Sequence, residues 1–166
     1  AVYARDDGQV SGGLGLPGPA QGSLGQQFTF LQPDVVDSVL FYVTQSYTGQ
    51  PVSVEVWTVG VGGPTTMIAT SDTLIYSNDS GGVFILPIHG GGVGLAAGDY
   101  AFQVVQYDSS LALGQTNSII TLGTTWIHWP IQTTPWAHNE DYGVQFQEPY
   151  VVRPFTACAD FAIGNI

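Results

Sequence analysis

Lysine is absent from this 166-residue sequence, and Arg5 and Arg153 are its only permanent cations. Phosphate backbones are held by clustered Lys and Arg, so nucleic acid is excluded as a partner, and anionic membrane surfaces are disfavoured for the same reason. Cysteine is nearly absent as well. Cys158 stands alone, which rules out an intrachain disulfide and a multi-cysteine metal site; it reads as a small apolar residue near the last strand, with an intermolecular bond as the alternative. No apolar run approaches the length of a transmembrane helix, so membrane insertion is not expected. Charged residues make up only 9% of the chain, and the helix formers Lys, Arg, Glu and Met are scarce, which argues against helices.

What is present is glycine (22 residues), proline (10), aromatics (12%) and a hydrophobic content of 44%. A chain of this size buries roughly 70% of its unfolded surface as one domain and needs no staple. Strands joined by turns follow from the composition, so the expected fold is all-β. The thirteen carboxylates give a formal net charge of −11. With so few charges in total, the exterior must be mostly Ser, Thr, Gln, Asn, Gly and Tyr, a surface that suits an extracellular or cell-surface location.

The clearest element runs from Gly90 to Tyr107. Three glycines break the chain, Ala97-Gly98-Asp99 makes a turn, and Tyr100, Phe102 and Val104 then alternate with Ala101, Gln103 and Val105. That period of two predicts a core strand buried mainly on one face. Earlier, Phe28 and Phe30 mark a first strand and Val35 to Tyr47 a longer one, apolar on both faces and therefore central. Val52, Val54 and Val56 alternate with Ser53, Glu55 and Trp57, a half-buried strand whose polar face carries an indole that could cap a sheet edge or meet a ligand. Met67 to Tyr76 reads as one bent strand or two short ones, and Val83 to Ile88, Leu111 to Thr116, Ser118 to Leu122 and Thr125 to Trp129 as short strands. Pro130 to Asp141 reads as an irregular loop, and Gly143 to Phe155, interrupted by Pro149 and Pro154, as an edge strand or two pieces. Eight to ten strands at this spacing predict an antiparallel β-sandwich, either jelly roll or immunoglobulin-like.

Residues 1–23 stand apart in composition. After a possible short strand, Val2 to Arg5, glycine and proline recur too densely for a packed core, so the segment reads as a flexible linker or as a strip lying against its own domain or a neighbouring subunit. The sandwich is expected over 24–166. The opening Ala1-Val2-Tyr3-Ala4 fits a mature N-terminus whose leader has been removed, and Ala159 to Ile166 has the character of a strand entering another domain.

The runs Gly25-Gln26-Gln27-Phe28, Val39-Leu40-Phe41-Tyr42-Val43, Val54-Glu55-Val56-Trp57, Gly63-Pro64, Ile68-Ala69-Thr70-Ser71, Leu95-Ala96-Ala97-Gly98-Asp99-Tyr100, Trp136 and Val152-Arg153-Pro154-Phe155 resemble β-sandwich modules of large secreted surface proteins of the Bacteroidetes, which are typically exported by the type IX secretion system. The Leu95 to Tyr100 turn is also similar to that of the bacterial pre-peptidase C-terminal module. The resemblance covers roughly residues 24–156 and implies an extracellular, non-enzymatic, adhesive or structural module. It carries over no functional residue.

No catalytic constellation is visible. His89, His128 and His138 sit in separate segments, no Gly-x-Ser-x-Gly elbow occurs, and the glutamates Glu55, Glu140 and Glu148 give little basis for a glycosidase pair. The richest stretch for binding is Trp126 to Asp141. Trp126, Trp129 and Trp136 could stack on sugar faces while Asn139, Glu140 and Asp141 bond hydroxyls; the competing reading has the rings plugging one end of the sandwich. No cofactor is expected, though Asn139, Glu140 and Asp141 offer oxygen ligands for calcium, with Asp99 or Asp108 from other loops. Arg153 shares a strand face with Val151 and Phe155 and is expected to form a partly buried ion pair. Asn78 begins an N-glycosylation sequon, and Ser38 and Thr73 match the O-glycosylation pattern that the Bacteroidetes resemblance implies.

Two functions remain in play. One is a structural or adhesive module that self-associates or meets neighbouring domains of a surface protein, including a fibre subunit docking through its N-terminal segment by strand addition. The other is a carbohydrate-binding module of a larger secreted protein, with glycans as partner.

Overall fold

A computed structural model describes residues 2–17, 21–45, 49–77, 80–107, 111–132 and 136–157. In chain order the strands are β1 (Val10–Leu14), β2 (Gly22–Phe30), β3 (Asp34–Val43), β4 (Pro51–Gly60), β5 (Gly63–Thr70), β6 (Leu74–Ile75), β7 (Gly82–Pro87), β8 (Val93–Leu95), β9 (Gly98–Gln106), β10 (Leu113–Thr116), β11 (Thr125–His128), β12 (Trp136–Ala137) and β13 (Val152–Thr156). They form two antiparallel sheets, an all-β sandwich. The seven-stranded sheet runs β12-β11-β2-β9-β4-β5, with β6 beside β4. The six-stranded sheet is built on β3: β7 and β8 share one of its edges, β13 and β10 the other, and β1 lies outside β10. Among the described residues no helix is long and apolar enough to cross a membrane.

Alternation explains the core. Leu24, Phe28, Tyr100, Phe102, Val104, Val52, Val54, Val56 and Ile127 point inward from one sheet, and Val36, Val39, Phe41, Val43, Leu86, Leu113 and Val152 meet them from the other. Edge-on aromatic pairs, Phe28 with Phe102 at 5.9 Å and Phe30 with Tyr100 at 5.6 Å, lock the registry within the core. Two fully buried glutamines interrupt this apolar layer and are satisfied by residues of the connecting segments. Gln106 accepts from the Leu16 and Leu111 amides and donates to the Leu16 carbonyl; Gln26 donates to Thr124 and accepts from the Tyr150 amide.

Of the readings left open for the N-terminal segment, residues 2–16 follow the one in which it lies against its own domain: β1 pairs with β10, Leu16 is buried, and Tyr3 packs on Phe30 at 4.4 Å. Elsewhere the structure departs from the sequence expectations. Val2 contributes a single bridge to Phe155, not a strand. Ser118 to Leu122 is not a strand either; it bends at Ser118, and Ile119 and Leu122 are left exposed because no neighbour pairs there. Finally, β9 is buried on both faces, since Ala101, Gln103 and Val105 are covered from outside the sandwich. Met67 to Tyr76 is two strands, β5 and β6, separated at Ser71, whose hydroxyl accepts from the Val54 amide.

Both arginines hold the N-terminal segment down. Arg5 donates Nε to the Gln27 carbonyl at 2.6 Å and lies over the Phe28 ring. Arg153 forms the expected ion pair, and its partner is Asp6: Nε donates to Oδ2 at 3.0 Å and Nη2 to Oδ1. This contact holds the Arg153 guanidinium above its usual range.

Candidate functional site: an aromatic cleft over the seven-stranded sheet

The cover over β9 is aromatic and comes from strands on either side of it. On the outer face, register places Trp57 of β4 beside Ala101 of β9 and Trp126 of β11 beside Gly25 of β2. Small residues in the middle of the sheet leave room for large rings from its flanks to lean inward. Trp136 packs edge-on to Trp57 at 5.2 Å and stacks on the His128 imidazole at 4.3 Å. Trp126 lies deeper, 7% exposed, with its indole N–H donating to Gln27 at 2.9 Å and the turn glycine Gly63 against its ring. Gly63 has φ +117, and a Cβ there would come within 3.0 Å of the indole, so this close approach requires glycine.

Beside this cluster opens a cleft of about 300 Å³, lined by Ser23, Glu55, Trp57, Val105, His128 and Ile131 among others. Its volume sits at the lower end of small-molecule sites. Glu55 and Trp57 share a face by strand alternation, and the Trp57 indole N–H donates to Glu55 Oε2 at 2.9 Å, fixing carboxylate and ring as one unit. His128 is about half-buried, and burial lowers its pKa, which keeps the imidazole neutral near pH 7. The cleft therefore offers an aromatic surface, one carboxylate and one neutral imidazole, while the Ser23 hydroxyl beneath it is buried and donates to Gln103.

The three tryptophans singled out from sequence do not form one platform. Positions 126 and 129 differ by an odd number along an extended chain, so Trp126 faces outward while Trp129 packs against the core. None of the three lines the cleft; Trp136 packs against Trp57 and His128, which do. Asn139 is fully buried and donates to the Phe146 carbonyl at 2.7 Å, while Asp141 is exposed and accepts from the His138 amide at 2.8 Å. Glu140 accepts from the Gly123 amide at 2.6 Å and from Thr125 Oγ1 at 2.7 Å. These three residues shape the loop after β12, and they bring together no group of three or more His, Cys, Asp or Glu side chains among the described residues. Asp99, near the start of β9, accepts from Thr29 of β2, and Asp108 lies outside the described residues. His138 donates Nδ1 to the Thr125 carbonyl, and His89 pairs with Asp72 on the surface.

Ser38 is half-buried in β3 with its hydroxyl on Asp37, and Thr73 is exposed between β5 and β6. Asn78 and Cys158 lie outside the described residues. Glu55 and His128 were not singled out for binding, although two signals were in the sequence: Glu55 and Trp57 alternate on one strand face, and His128 follows Trp126 at the same spacing.

No family model and no curated protein matches the chain. Solved structures do. A structure of the clostridial cysteine protease Cwp84 after propeptide cleavage aligns over 94% of this chain and 39% of that one, with TM-score 0.72 and 18% identity. A second, of the cysteine protease and lectin-like domains of Cwp84, a surface layer associated protein of Clostridium difficile, aligns over 82% of this chain and 32% of that one, with TM-score 0.64 and 18% identity. The chain thus spans about two fifths or less of these neighbours. The likeness defines the fold.

Proposed function

We propose that this domain is a non-catalytic, extracellular glycan-binding module whose site is the cleft at Trp57. The observation that carries the reading is the fixed pair of Trp57 and Glu55, which lines an open cleft together with His128, with Trp136 packed behind Trp57. A sugar presents apolar C–H faces and polar edges, and this arrangement complements both: the indole takes the C–H face while carboxylate and imidazole take the edges. The likeness to a surface protein with a lectin-like domain supports the same reading, as does a surface almost free of cations. Glycan-array binding followed by calorimetry tests it. Trp57→Ala should abolish binding while leaving the unfolding temperature nearly unchanged; binding that survives the substitution refutes the assignment.

Self-association is the second reading, and one observation favours it. The edge strands β5 and β7 each pair on one side only, and they expose Met67 and Ile68, and Val83 and Ile85. Docking through the N-terminal segment would require β1 to leave β10, to which it is already paired. Light scattering on the intact chain and on Val83→Lys/Ile85→Lys distinguishes the two: a monomer in both removes the reading.

A further inference from the structure

We infer that the cleft selects amino sugars bearing a free, protonated amine and rejects glycans carrying carboxylate or sulfate groups. This rests on the glycan-binding reading above and adds the ligand's charge to it. The argument begins with Glu55. Its Oε2 accepts the Trp57 indole N–H, and for Oε1 there is no protein donor among the described residues, so one oxygen of a positioned carboxylate is left for a ligand. An ammonium group supplies what that oxygen lacks, a charged donor, and the indole beside it adds attraction for a cation at its face.

Nothing nearby neutralises Glu55. The chain has two permanent cations, and both are committed elsewhere. Arg5 is bound to the carbonyl of Gln27; Glu55 pairs with Gln103 and Gln103 with Gly25, so Glu55 lies two strands across (about 9.6 Å) and two residues along (about 6.6 Å) from Gln27, about 12 Å away and beyond the ~8 Å over which charge acts at physiological salt. Arg153 is paired with Asp6 on the outer face of the opposite sheet. His128 lines the same cleft, but burial disfavours its charged form. The chain as a whole carries a formal charge of −11, so the field at the cleft is negative both locally and at long range. A uronate, sialate or sulfate group would enter against that field with no donor cation to meet it. A neutral sugar meets neither penalty nor gain.

The test compares three oligosaccharide probes of equal length by calorimetry: β-1,4-linked glucosamine with its amines free and protonated, its N-acetylated form, and an oligo-uronate. The free amine should bind about three- to tenfold more tightly than the acetylated form, and the uronate should not bind detectably. In Glu55→Gln, which retains an acceptor for the Trp57 N–H, the preference for the amine over the acetylated form should vanish. Raising the salt concentration should shrink the excess but not abolish it. Equal binding of amine and N-acetyl forms, or an excess that persists in Glu55→Gln, overturns the inference and leaves glycan binding intact. Uronate binding at comparable strength overturns it too. Absence of binding by every glycan, neutral ones included, overturns the site itself.

Discussion

Asp6→Asn removes one charge from the contact that fastens the N-terminal segment, and its cost can be worked from the geometry. Arg153 engages Asp6 through two donors; the guanidinium side chain is 26% exposed and the carboxylate is covered. Fully exposed pairs contribute about 0–1 kcal/mol, whereas stranding one member of a buried pair costs about 3–5 kcal/mol. A partly covered, bidentate pair falls between, at about 2 kcal/mol. For a domain of this size each kcal/mol lowers the unfolding temperature by roughly 2–4 °C, so Asp6→Asn should lower it by roughly 4–8 °C. Asp6→Asn/Arg153→Met should cost less than the sum of the singles, because the second change removes a charge already stranded. A second readout is local. With no lysine in the chain and Arg153 followed by Pro154, a bond trypsin resists, Arg5 is the trypsin site, and it lies in the segment that Asp6 fastens. Circular dichroism melts combined with timed trypsin digestion should show faster cleavage after Arg5 in Asp6→Asn. An unfolding temperature within about 1 °C of the parent, with unchanged cleavage, would refute the claim that this pair holds the segment.

Other expectations follow from single contacts. Trp126→Ala should cost about 3–5 kcal/mol in urea unfolding, since it empties the space under Gly63 and strands the Gln27 acceptor, whereas Trp57→Ala should cost far less. Gly63→Ala should cost about 1–3 kcal/mol, because the position has φ +117 and the added methyl meets the Trp126 ring. Glu140→Ala frees the Gly123 amide and Thr125 hydroxyl, and should cost about 1–3 kcal/mol and speed amide exchange at Gly123. His128 has a pKa below the ordinary ~6.5 because it is buried, so the unfolded chain takes up the proton first. Stability should therefore be unaffected by this group above about pH 6.5 and decline as pH falls towards the folded value; His128→Asn should flatten that part of the pH profile, and an unchanged profile would contradict it.

How much of this was legible in the sequence depended on whether the deciding contact was local. Strand β9 was readable because Tyr100, Phe102 and Val104 alternate with Ala101, Gln103 and Val105, a pattern contained in six residues. Its burial on the second face was not, because the rings that cover it come from β4, β11 and β12, brought together only by sheet order. The same limit governs the N-terminal segment. Its glycines and prolines describe a chain without a core of its own, yet its fate is set by Gln106, Arg153 and β10, all about a hundred residues or more away. For the site, the aromatic richness of Trp126 to Trp136 was legible but how the rings group was not: the pleat sends Trp129 to the core, while Trp136 packs with His128 and the distant Trp57. The Glu55 to Trp57 pair was available from alternation alone; what could not be read was that a cleft lies over it.

The central claim is that glycans bind where Trp57 and Trp136 meet. The four tryptophans give four indole N–H signals in a nitrogen–proton correlation spectrum, assignable by single substitution, and each reports a different place in the fold. Titration with a binding oligosaccharide should shift the Trp57 and Trp136 signals strongly and leave Trp129, on the core side, unmoved. Shifts confined to Trp129, or no indole shift in the presence of demonstrated binding, would contradict the account.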